Sequence, residues 1–129
     1  MTVAQPLDGN YKPIPALIGT PVTASNTGAA GAALTVTLPG VPGATTYIAG
    51  FIISAANPAA NQTGVATVGG TLGGTMNLQL VESTTFGGLI VVAFPFPVPA
   101  SGQNVAITVN IPAIASGAVT AIAAYGFQL

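Results

Sequence analysis

Ala33-Leu34-Thr35-Val36-Thr37-Leu38-Pro39-Gly40 is the stretch that decides the fold. Leu34, Val36 and Leu38 alternate with Thr35 and Thr37. A period of two places the leucines and valine on one face of an extended chain and the threonines on the other. The pattern is that of a half-buried β-strand, and Pro39-Gly40 closes it. The same period recurs on both sides. Met76, Leu78 and Leu80 alternate with Asn77, Gln79 and Val81. Val105, Ile107, Val109 and Ile111 alternate with Ala106, Thr108 and Asn110.

Other segments are apolar at nearly every position. Tyr47–Ala55 reads as a central strand covered on both sides. Gly64–Val68 is a short strand, and Gly69–Gly74 is a glycine-rich turn leading to Met76–Val81. Leu89–Phe94 is a β-branched run too short for an ordinary helix. Pro95-Phe96-Pro97-Val98-Pro99 lacks backbone donors at alternate positions, which places it at an edge or corner in an extended form. Ala118–Leu129 supplies the last strand. Seven strands follow, with an eighth open near Pro21–Ser25. Gly, Pro and Asn turns separate them, and no repeat of fixed period is present. The fold expected is all-β, an antiparallel β-sandwich or barrel with a jelly roll as the leading topology. Residues 1–24, punctuated by Pro6, Pro13, Pro15 and Pro21, are expected to form an extended arm, and residues 25–129 a single sandwich domain.

Composition narrows the function. The chain has 129 residues, and charged residues make up 2% of them, against about 25% in an ordinary soluble domain. They are Asp8, Lys12 and Glu82. One lysine cannot neutralise a nucleic-acid backbone, so no nucleic-acid partner is expected. No stretch makes a convincing membrane span, because prolines and polar residues interrupt each apolar run. No basic, apolar leader precedes a small-residue cleavage site, so synthesis in the cytoplasm is expected. The absence of cysteine agrees with a reducing compartment.

Catalytic designs find few parts. There is no histidine and no cysteine, hence no imidazole base, no thiolate and no usual metal-ligand set. Asp8 and Glu82 are the only carboxylate side chains, and Asp8 falls in the arm, which disfavours a glycosidase pair. Gly69–Gly74 lacks the lysine of a phosphate-binding loop. Asn61-Gln62-Thr63 matches a glycosylation sequon but reads as a loop in an unsecreted chain. The expectation is a protein that is not an enzyme, with no catalytic residue, cofactor or metal. Phe94 with Phe96, and Tyr125 with Phe127, read as core or subunit contacts in preference to a sugar-stacking platform.

With so few charges, Thr, Ser, Asn and Gln must supply the outward polarity, and the sheet edges carry no lysine to guard them. Burial of much of this surface against other copies or a large partner resolves the difficulty. A homo-oligomer is expected, trimer first and dimer second. Candidate contacts on the arm are Leu7, Tyr11, Lys12, Ile14, Leu17 and Ile18, which can lie across a neighbour at modest ordering cost because proline already restricts the free chain.

Three segments carry a resemblance. Leu34-Thr35-Val36-Thr37-Leu38-Pro39 followed by Tyr47-Ile48-Ala49-Gly50-Phe51, then Phe94–Ala100, and the ending Ala123-Ala124-Tyr125-Gly126-Phe127-Gln128-Leu129 resemble small virion proteins of tailed bacteriophages. They span residues 33 to 129. The resemblance implies a jelly-roll capsid decoration (cement) protein that binds the outside of the shell. Its partner would be the major capsid protein, and its place the capsid surface. The alternatives are a phage tail or fibre module that adheres to a host surface, and a non-viral structural β-protein.

Overall fold

A computed structural model describes residues 19–114 and 116–129. The chain forms eight strands: β1 (Thr20–Thr27), β2 (Leu34–Leu38), β3 (Thr45–Ala56), β4 (Gln62–Gly69), β5 (Met76–Glu82), β6 (Gly88–Gln103), β7 (Ile107–Ile111) and β8 (Val119–Gln128). They build two four-stranded antiparallel sheets, β1-β8-β3-β6 and β2-β7-β4-β5. The pairing is nested. The first strand pairs with the last, β2 with β7, β3 with β6, and β4 with β5. Folding such a nested ribbon over itself gives the strand order of a jelly roll. Only the β4–β5 hairpin stays within one sheet; the other connections cross between layers. The eighth strand that Pro21–Ser25 left open is present as β1, so the sheet takes in residues 20–24 that the sequence assigned to the end of the arm.

The alternation read from the sequence is the one the core uses. Leu34, Val36 and Leu38 are buried while Thr35 and Thr37 are exposed. Ile107, Val109 and Ile111 face them from β7. Phe51, Ile48, Ile53 and Ile122 come from the opposite sheet, and Val68 and Leu80 close the far side. Each such side chain contributes about 1.5–3 kcal/mol on leaving water. The Phe51 and Phe94 rings pack at a tilt, centroids 6.2 Å apart, a favourable geometry for an aromatic pair.

Two departures from simple alternation are physical. Along β3, Ile48 and Phe51 both face inward, because the pairing shifts between Ile48 and Gly50. An extra residue at a bulge reverses the phase of the strand. The bulge brings the Tyr125 hydroxyl over Gly50, in the space a side chain there would need. On β6 the shift is larger: Ala93 pairs with Gly50 and Val98 with Ile48, leaving residues 94 to 97 as an excursion opposite Ala49. That excursion is the Phe-Pro-Phe-Pro segment, and it lies on an edge strand, where missing donors cost no ladder bonds.

The ends of the sandwich are tied by backbone bonds. Leu129 and Thr45 exchange N–H···O bonds of 3.0 and 2.7 Å. The Thr46 hydroxyl donates to the Pro39 carbonyl at 2.8 Å, and Gln128 Nε2 donates to the same oxygen at 2.9 Å. The glycine-rich stretch is the β4–β5 turn, as its composition suggested. It is fixed to the other sheet by Leu72 N–H to Pro99 O (2.9 Å) and Ser101 N–H to Gly70 O (2.9 Å).

Candidate functional site: the outer sheet faces

The register assigns the residues that each sheet turns away from the core. On β1-β8-β3-β6, one row runs Ser25, Ala123, Ile52, Val91 across all four strands. The next runs Thr27, Ala121, Ser54, Leu89, and on the other side lies Thr23, Tyr125, Gly50, Ala93. The face therefore grades from hydroxyls on β1 to aliphatic side chains on β6. Leu89 is 65% exposed, Val91 63% and Ile52 42%. A shallow groove of about 240 Å³ runs between Ser25 and Thr27 on one side and Ile52 and Ser54 on the other. Farther along, Tyr47 and Phe127 stack as cross-strand partners, centroids 5.0 Å apart.

The other sheet presents different chemistry. Thr35, Asn110, Thr67 and Asn77 form one row across β2-β7-β4-β5. Thr37, Thr108 and Gly69 form the next. Asn110 Nδ2 donates to Thr35 Oγ1 at 2.6 Å and to Leu34 O at 3.3 Å, which fixes the amide along the row. Gln79 extends this polar surface on β5; Val65 and Val81 are its apolar exceptions.

A third feature is the β5–β6 turn. Ser83 and Gly87 exchange backbone bonds of 2.8 and 2.7 Å, and the Thr84 N–H donates to Asn61 Oδ1 at 2.8 Å. The turn holds Phe86 90% exposed. Asn61, the first residue of the sequon, thus anchors a neighbouring turn. The aromatic pairs divide: Phe94 packs against the core, Phe96 stands exposed, Tyr125 lies on the outer face and Phe127 is half-buried on Tyr47.

Charge is distributed in an unusual way. Glu82 is the one charged side chain among the described residues, since Asp8 and Lys12 precede them. It lies at the end of β5, only 1% exposed. The described exterior therefore bears no charged side chain. Among the described residues, no group of three or more His, Cys, Asp or Glu side chains gathers to hold a metal, and no helix is long and apolar enough to cross a membrane.

The candidate contacts Leu7, Tyr11, Lys12, Ile14, Leu17 and Ile18 lie outside the described residues. The outer apolar residues Ile52, Leu89 and Val91 were not singled out by pattern reading, although the signal was present. A strand apolar on both faces reads as covered on both sides, and β3 and β6 are such strands. In this chain nothing among the described residues covers their outer face. Comparison of the chain with protein-family models, curated proteins and solved structures finds no match.

Proposed function

We propose that this chain is a structural virion protein that binds the outside of a phage capsid and stabilises the shell by bridging capsid subunits. The observation that carries the reading is that the exterior of the described residues bears no charged side chain, joined to an aliphatic sheet face. A freely diffusing protein keeps itself dispersed with surface charge, and the described exterior carries none on its side chains. Such a surface suits burial in a symmetric assembly, where many modest contacts act together through avidity. The resemblance of short segments between residues 33 and 129 to phage virion proteins supplies the setting. The jelly roll agrees with it as a matter of fold analogy alone, since one fold serves many functions. On this reading the partner is the major capsid protein, the chain is made in the host cytoplasm, and its role is binding without catalysis.

The test is addition of the purified protein to shells from which it has been removed. Saturable binding at a stoichiometry fixed by shell symmetry, with a raised temperature of shell rupture, is the expected result. Binding that leaves rupture unchanged, or no binding, would overturn the reading. A tail or fibre module is the second reading, favoured by the exposed rings of Phe86 and Phe96. Attachment to host envelopes that is lost in Phe86→Ser or Phe96→Ser would select it.

A further inference from the structure

We propose that the outer face of the β1-β8-β3-β6 sheet is the subunit interface of this protein, occupied by the same face of a second copy. This rests on the reading of the chain as an assembly protein and assigns the surface through which it self-associates.

Three features single out a second copy as the occupant. The first is the layout. Leu89, Val91 and Ile52 lie toward the β6 edge, and Thr23, Ser25 and Thr27 line the β1 edge. An aliphatic side beside a hydroxyl margin combines the apolar area and the polar border that protein interfaces carry. The second is charge. No charged side chain lies in these rows, so two copies meet without like-charge repulsion, and the face has no sign with which to select a foreign surface. The third is size. Four strands about 4.8 Å apart, over about eight residues of about 3.4 Å each, give a projected face of about 500 Å². Two such faces reach about 1,000 Å², the lower bound of a specific interface.

The opposite face explains why pairing uses this sheet. Thr35, Asn110, Thr67 and Asn77 are polar groups that water satisfies, and Val65 and Val81 are the exposed aliphatic side chains among them, so that more polar face remains outside when the aliphatic face is covered. The protein must also exist before it reaches a shell, and a second copy is the one partner always present with it. Apposing the same face of two molecules is an isologous contact and generates a twofold dimer. Of the two oligomers expected from composition, the dimer is the one this face builds.

The test is sedimentation equilibrium of the full chain at micromolar concentration, with Val91→Lys on the proposed interface and Gln79→Lys on the polar face. Each fold is checked by circular dichroism. The expected result is twice the chain mass for the parent and for Gln79→Lys, and a monomer for Val91→Lys. Two lysines placed on the aliphatic side of the face should weaken association about a hundredfold or more. If Val91→Lys loses its sheet signal, Val91→Ser is read in its place and should weaken association in the same direction. A monomeric parent overturns the proposal, as does a Val91 variant that associates like the parent. Loss of association on removing residues 1–18, with Val91→Lys silent, assigns the contact to the arm and also overturns it. Shell binding is measured separately. A monomer that still decorates shells refutes this interface and leaves the assembly function standing, whereas a dimer that binds no shell does the reverse.

Discussion

Phe51→Ala, set against Phe86→Ala, tests the packing with one residue type in opposite surroundings. Phe51 is fully buried on β3 between the two sheets, and its ring meets Phe94. Truncation removes a large apolar side chain and leaves a cavity in a layer whose strands are held by ladders on both sides, so collapse is limited. A Phe-to-Ala change in such a site costs about 3–5 kcal/mol. About 0.5–1.5 kcal/mol of that reflects the aromatic pair. Against a stability of about 5–15 kcal/mol for a domain, the variant should fold but with a narrow margin. Urea unfolding followed by circular dichroism is the assay. With a slope near 2 kcal/mol/M, a loss of about 4 kcal/mol lowers the midpoint by about 2 M. The thermal midpoint should fall by about 12–20 °C for a chain of this size. Phe86 projects into solvent from the β5–β6 turn, and its truncation should stay within about 0.5 kcal/mol. A cost below about 1 kcal/mol for Phe51→Ala, or above it for Phe86→Ala, would refute this placement of the core.

Three further outcomes are expected. Raising salt from about 0.05 to 0.5 M shortens the Debye length from roughly 14 to 4 Å, yet shell binding followed by co-sedimentation should change less than about twofold, because the described exterior carries no charged side chain; a hundredfold loss would reveal an electrostatic contact. Thr46→Val removes the hydroxyl donor to Pro39 O inside the sandwich and should cost about 1 kcal/mol by urea unfolding, the moderate value reflecting the Gln128 amide that still reaches the same carbonyl. Gly87→Ala places a side chain on a backbone with φ +71°, against the Ala55 carbonyl, and should destabilise by about 1–3 kcal/mol, whereas Gly43→Ala, also at positive φ but with open space around it, should cost less in the same assay.

The strands were legible because their period is short and local. Leu34, Val36 and Leu38 announce both a strand and its buried face, since any sheet that buries one must bury all three. The nested partners were not legible, because Thr35 meets Asn110 from 75 positions away in sequence and alternation says nothing about which distant strand is opposite. The phase reversal on β3 also escaped reading. The bulge beside Gly50 sets it against the Tyr125 side chain, which comes from another strand. On β6, proline argued for an edge, and the edge is where the segment lies. The proposed assembly surface was half legible. The apolar run Leu89–Phe94 and the nearly continuous apolarity of Tyr47–Ala55 show that both faces seek cover, but a sequence does not say whether the cover comes from the same chain or from another molecule.

The central claim is that this protein is part of a shell. Electron microscopy of purified virions, with a gold-labelled antibody against this chain, tests it most directly. The account predicts label spread over the outside of the capsid at regular spacing, and none on the tail. Label confined to the tail or fibres, or virions that carry none of the chain, would contradict it.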